Sequence, residues 1–239
     1  MLAHGPSIIT QGLVLALDAA DRNSYPGSGT TWTDLSGNGN NGTLVNGVGY
    51  NSGNGGSLVF DGVNDFVLRT TSNGFGTANL PPAASMEIWA NVTRKGGGSF
   101  AYQKLAGFRN DSNFDFYFLI LDSSGATVLT EARIRTSTTV TGIYADFPIS
   151  YFGKWTHIVF TANVNRTDLY LNGVLVGSDT SLTGSFPATS GNFNVGKNPG
   201  AGNAWQTKGN ISSVRFYNRP LTATEVAQNF NALKGRYGI

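Results

Sequence analysis

Short apolar runs recur about every ten residues along most of this 239-residue chain, each closed by Gly, Asn, Asp or Pro. No other feature narrows the fold as much, because runs of this length suit strands, and their turns are too short for crossover helices. Residues 154–232 show the rhythm best. Trp155, His157, Val159 and Thr161 alternate with Thr156, Ile158, Phe160 and Ala162, and both sets carry apolar groups, so this strand is expected inside a sheet. Asn172-Gly173 sits between two apolar runs and supplies the positive-φ pair of a type I′ hairpin. Ile211, Val214 and Phe216 predict a buried strand. One helix is expected: Thr222 and Glu225 form a capping box, and Val226, Phe230 and Leu233 fall on one stripe.

Further strands are expected over 12–19, 42–45, 85–94, 100–108, 114–122, 128–135 and 143–147, the 128–135 strand half-exposed, and a hairpin joins 57–60 to 66–69 around DGVND. Residues 21–41 read as loop, with Trp32 and Leu35 tacking it to the body, and Trp89 and Trp155 are core candidates. Glycine at 32 residues and charge at only 13% suit many tight turns better than many helices. The reading is an all-β, two-sheet antiparallel jelly-roll sandwich with one short C-terminal helix, an N-terminal arm over 1–11 and a single domain over 12–239.

Composition excludes several chemistries. With no cysteine, disulfides, thiolate metal sites and cysteine nucleophiles are impossible. The histidines, His4 and His157, are too few for a zinc site. His157 is expected to pack on the sheet or face solvent. GSGTTW and GNGNNG lack the lysine of a phosphate loop and read as turns. Residues 1–86 hold two arginines against five aspartates, whereas 180–239 hold six cations against Glu225. The cations are scattered, so mutual neutralisation of the two ends is expected over nucleic-acid binding. No apolar run reaches membrane-spanning length. Glycoside hydrolysis needs two carboxylates across the scissile bond. Only Glu87, Glu131 and Glu225 are glutamates, Glu225 belongs to the cap, and the other two have no second acid nearby on their strand. Asp111 and Asp115 read as solvated loop acids. No enzymatic activity is expected.

Candidate binding residues remain. Trp205 in GAGNAWQTK either caps the edge of the sandwich or is the leading sugar-stacking candidate, with Asn203, Gln206 and Lys208 beside it, and Tyr102, Tyr144 and Tyr151 lie near strand ends. Asp61, Asn64 and Asp65 gather oxygen ligands suited to calcium, although the same residues also make tight turns; Asp18 is a further ligand or a loop anchor.

The segments GLVLALDA, SYPGSGTTWTDLSGNGNNGTL, SLVFDGVNDFV, KWTHIVFT, LYLNGVLVG and ISSVRFYNRPLTATEV resemble the laminin G-like, concanavalin A-like lectin/glucanase family, in the form found in bacteriophage virion proteins. The resemblance implies a sugar- or protein-binding jelly roll, sometimes with one calcium but with no required cofactor. It implies a virion-surface, extracellular location, other virion proteins and host-surface glycans as partners, and oligomers on the particle. The start, MLAHGPSIITQ, is not a secretory signal pattern, so release by lysis is the expected route. The alternatives are a carbohydrate-binding module of a secreted bacterial system and a glucanase-like hydrolase.

Overall fold

The computed structural model describes residues 6–69, 83–95, 101–110, 114–122, 128–135, 140–183, 192–197 and 205–239. Two eight-stranded antiparallel sheets face each other. The first runs β14 (Val174–Asp179), β13 (Arg166–Leu171), β12 (Trp155–Asn163), β7 (Ala84–Val92), β16 (Lys208–Tyr217), β5 (Ser57–Asp61) and β4 (Gly49–Asn51), with β1 (Leu13–Asp18) also on β16. The second runs β11 (Val140–Asp146), β10 (Leu129–Arg135), β9 (Phe114–Asp122), β8 (Ala101–Asn110), β15 (Phe193–Val195), β6 (Phe66–Arg69), β3 (Gly42–Val45) and β2 (Thr31–Trp32). The all-β sandwich expected from the strand rhythm is the fold observed. Its main core lies between the sheets and includes Leu17, Trp32, Phe60, Ile88, Phe108, Ile134, Phe160 and Phe216.

Local signals hold at the hairpin and the helix. Asn172 and Gly173 take φ of 50° and 79° and join β13 to β14. Helix α1 (Ala223–Leu233) begins at a capping box: Glu225 N donates to Thr222 Oγ1 at 3.3 Å, and Thr222 N donates to Glu225 Oε2 at 2.8 Å. Arg219 donates two hydrogen bonds to the same carboxylate and, with the Thr222 contacts, holds Glu225 down to about 2. Thr222→Ala is therefore expected to cost about 1 kcal/mol, measured by urea unfolding.

Four expectations need correction. The 57–61 and 66–69 strands are not a hairpin: β5 pairs with β4 and β16, whereas β6 pairs with β3 and β15 in the other sheet. The DGVND turn thus crosses the sandwich, because Phe60 and Val67 both point into the core between the sheets. Leu35 is exposed; Asp34 tacks the loop down instead, accepting hydrogen bonds from Ala16 N, Ser36 N and Asn40 N. Trp155 is only half-buried, and its indole N–H donates to Asn54 Oδ1 at 3.1 Å. The 128–135 strand is mostly buried, since it lies within the second sheet between β9 and β11.

Helix α1 covers the outer face of the first sheet. Val226 packs on Val159, Tyr170 and Tyr217, while Leu233 and Phe230 pack near Trp89 and Tyr237. Residues 7–9 lie along the helix, with Ile9 N donating to Asn229 Oδ1 and Gln228 Nε2 to Ser7 O. Beneath the helix runs a buried polar chain. Asn229 Nδ2 donates to Glu87 Oε2 at 2.6 Å, Arg215 Nη1 to Glu87 Oε1 at 3.1 Å, and Arg215 Nη2 to Asp18 Oδ2 at 3.3 Å. Arg236 Nη1 donates to both Asp18 oxygens at 2.9 Å. His157 is wholly buried in this chain, its Nε2 3.3 Å from Glu87 Oε1 and its ring 4.9 Å from Trp89. The acidic and basic ends of the sequence do neutralise each other here.

Candidate binding face on the second sheet

With α1 on the first sheet, no α-helix among the described residues covers the outer face of the second. Alternation decides what that face presents. Ala132, Ile134, Ile143, Ala145 and Leu105 enter the core, so Glu131, Arg133, Tyr144, Tyr102 and Lys104 take the opposite side. Register aligns them in rows: Tyr144 pairs with Glu131, Glu131 with Leu119, and Leu119 with Lys104. In the neighbouring row Leu129 pairs with Asp146 and with Leu121, which pairs with Tyr102.

Tyr144 is 56% exposed, and its hydroxyl donates to Glu131 Oε1 at 2.9 Å. Glu131 is buried, and Arg133 Nη1 lies 3.9 Å from it. Partial burial, then the Glu131 charge, pushes the Tyr144 phenol up, which keeps it a hydrogen-bond donor at neutral pH. Trp205 stands at the edge of β8, where Lys104 N donates to its carbonyl at 2.9 Å. Thr207 Oγ1 donates to Lys104 O at 2.8 Å, so the segment before β16 continues the sheet where β15 stops. The Trp205 ring is half-buried and meets Tyr102 edge-on, with centroids 5.2 Å apart. Trp205 holds φ of 66°, which is rare for a bulky side chain.

The structure thus brings Tyr102, Tyr144 and Trp205 to one part of the molecule. Gln206 beside them is fully buried, and neither of its amide atoms has a hydrogen-bond partner among the described residues. Asn203 lies outside the described residues. Lys208 is exposed at the start of β16 and pairs in register with Asp61. Tyr151 lies elsewhere, in the 3-10 turn Ile149–Tyr151, its ring 5.6 Å from Phe147 against the main core. Sequence reasoning missed Arg133, Asp146 and the buried Lys104 and Glu131. The alternation of LTEARIR puts Glu131 and Arg133 on one face, but pairing with β11 supplies Tyr144 and Asp146 from afar in the chain.

The calcium candidates form the crossing turn. Asp61 Oδ1 accepts from Val63 N and Asn64 N, and these backbone bonds hold its carboxyl below the usual range. Asp65 Oδ2 accepts from Asp61 N, while burial and the Asp61 charge push Asp65 up. Lys95 Nζ donates to Gly62 O at 3.0 Å. One oxygen of each carboxylate serves the turn's own backbone, and the Lys95 ammonium sits on Gly62 O, so these residues perform the turn-forming role expected of them. No group of three His, Asp or Glu placed to hold a metal ion occurs among the described residues. Asp18 is committed to Arg215 and Arg236. Excess EDTA is expected to leave the melting temperature unchanged; a drop restored by calcium would refute this.

A family model described as the concanavalin A-like lectin/glucanase superfamily matches residues 69–227, about two thirds of the chain. The chain belongs to this superfamily. No curated protein matches this superfamily member. Among solved structures it is similar to domain 4 of AbnA, an extracellular arabinanase from Geobacillus stearothermophilus solved in complex with arabinotriose, with TM-score 0.64 and 19% identity over 92% of this chain and 98% of that one. It is also similar to the binding domain of Paraclostridial Mosquitocidal Protein 1, with TM-score 0.67 and 19% identity over 92% of this chain and 52% of that one. A sialidase from Trypanosoma rangeli gives TM-score 0.64 and 16% identity over 94% of this chain and 33% of that one. The chain therefore spans about half of that toxin domain and a third of the sialidase. At these identities the likeness concerns the fold.

Proposed function

We propose that this chain is a non-enzymatic binding module that presents the outer face of its second sheet to carbohydrate. The carrying observation is the gathering of Tyr102, Tyr144 and Trp205 with Glu131 on a face no α-helix of the described residues covers. Sugar rings stack on aromatic planes, and the exposed Tyr144 hydroxyl, while donating to Glu131, keeps its oxygen free to accept from a sugar hydroxyl. The arabinotriose complex of the AbnA domain supports the reading by showing that this fold takes sugars. A glycan array tests it. Tyr144→Ala and Trp205→Ala are each expected to weaken binding about tenfold, the scale of one aromatic contact. Silence across the whole array would remove the carbohydrate reading.

Its setting, in this proposal, is the surface of a bacteriophage particle, outside the cell, as a head or tail decoration or adhesin among other virion proteins and without calcium, nucleic acid or membrane as partners. The segment SYPGSGTTWTDLSGNGNNGTL supports that setting. A particle map lacking the chain would remove it.

One observation favours a hydrolase as the second reading. Asp146 is exposed on the row next to Glu131, a diagonal that sets the two Cα atoms about 7 Å apart. Such a placement suits an inverting glycosidase. Against it, Glu131 already holds Tyr144 and Arg133. Release of reducing sugar from β-glucans, abolished by Glu131→Gln, would establish this reading instead.

A further inference from the structure

Helix α1 and the residues after it cover only part of the first sheet's outer face. Tyr237 closes that cover, its ring 4.7 Å from Trp155. From Trp155 one continuous row crosses the sheet. Trp155 on β12 pairs with Asn91 on β7, Asn91 with Asn210 on β16, Asn210 with Val59 on β5, and Val59 with Gly49 on β4. The row lies on the outer face, since Val92, Ile211, Leu58 and Phe60 beside it enter the core. Every member keeps partial exposure, whereas Trp89, His157 and Ser213, in the neighbouring row under the cover, have none.

The two asparagines are held in place without being used up. Asn91 Nδ2 donates to Gly153 O at 3.1 Å, and Asn210 Nδ2 to Ser57 Oγ at 3.0 Å. Neither Oδ1 is buried, and neither has a partner among the described residues. Each amide therefore offers an accepting oxygen and one remaining N–H side by side, on strands about 5 Å apart. Trp155 is fixed as well: its N–H donates to Asn54 Oδ1, Asn54 Nδ2 donates to Arg236 O at 3.1 Å, and Tyr237 backs the ring.

We propose that this row is a second binding site, for a neutral sugar. No member of the row is ionic, so a charged ligand finds nothing there to pair with. A hydroxyl both donates and accepts, as each of these amides does, and an indole beside them takes the apolar face of a ring. From Trp155 to Asn210 the row spans about 10 Å, the length of a short oligosaccharide. The site lies on the opposite sheet from Tyr144 and stands whether or not that face binds sugar. Used together, the two faces would let one chain bridge two glycans, a consequence that does rest on the carbohydrate reading of the second sheet.

An array of neutral oligosaccharides is the probe, read with wild type, with Tyr144→Ala/Trp205→Ala, and with Asn91→Val/Asn210→Val, valine being suited to strands. Binding of at least one glycan is expected to survive in the Tyr144→Ala/Trp205→Ala protein and to weaken about tenfold or more when both asparagines are also replaced. In nitrogen-edited NMR spectra of wild type, the same glycan should shift the Trp155 indole N–H and the Asn91 and Asn210 side-chain amides, a readout that requires no variant to fold. A Tyr144→Ala/Trp205→Ala protein that folds but binds nothing, or a wild-type glycan complex in which those three signals stay in place, would overturn the row and leave the second-sheet reading intact. Binding lost only with the asparagines would uphold the row and remove that reading, and silence across the array would overturn both.

Discussion

Replacing Glu87 with alanine is expected to lower the unfolding free energy by about 3–5 kcal/mol, because it strands a buried Arg215 without its main partner. For a chain of this size that corresponds to a melting temperature roughly 6–20 °C lower. The same change removes one of the two acceptors of Asn229 Nδ2 and thereby loosens α1 and the segment of residues 7–9 bound to it. Glu87→Gln is expected to cost less, since an amide oxygen still accepts from Arg215. A Glu87→Ala protein as stable as wild type in urea would show that the polar chain contributes little. The pH dependence follows with a definite sign. Burial alone would raise the Glu87 pKa, but the His157 ring, the Arg215 guanidinium and Asn229 outweigh it and hold the carboxyl down to about 2. A depressed carboxylate stabilises the fold above its unfolded value, and that contribution fades as pH falls through the folded one. Wild type should lose stability between about pH 4.5 and 2, and Glu87→Ala should lack this component of the loss.

Trp89→Ala is expected to cost about 3–5 kcal/mol through the cavity it leaves. Its indole is fully buried, 4.2 Å from the Tyr237 ring, 5.8 Å from Phe230 and 4.9 Å from His157. Limited proteolysis should then cleave beyond residue 222 first, and Trp89→Phe should recover much of the loss. Because Glu87 and Trp89 act on the same helix, the double variant should fall short of the summed single effects. Equal protease resistance in Trp89→Ala and wild type would count against this account of helix docking.

Which parts of this structure can be read from the chain alone follows from distance along it. Asn172-Gly173 and Thr222-x-x-Glu225 act within a few residues, and they form the turn and the cap that their chemistry demands. DGVND is just as local, yet Asp-Gly and Asn-Asp bend the chain equally well between paired strands or between sheets. Only the core that Phe60 and Val67 share decides which. Glu87, His157 and Arg215 look solitary in sequence. They meet because β7 pairs with β12 on one side and β16 on the other, placing Val159 and Arg215 in register with Glu87. The binding face divides the same way. Trp205, Tyr102 and Tyr144 stand out by residue type, whereas the partnership of Glu131 with Tyr144 depends on a register that only the folded sheet fixes.

The pairing of β1 with β16 bears on how the protein is made. Leu13–Asp18 leaves the ribosome well before its partner Arg215, which emerges some two hundred residues later. Until then the first strand has no sheet to join and its apolar side chains stay uncovered. Closing so long a loop is slow, and chains held in that condition aggregate. Synthesis therefore exposes this protein to a long unprotected interval. Variants that slow translation before residue 208, or that truncate the chain ahead of β16, should accumulate as insoluble material even where the finished fold is stable.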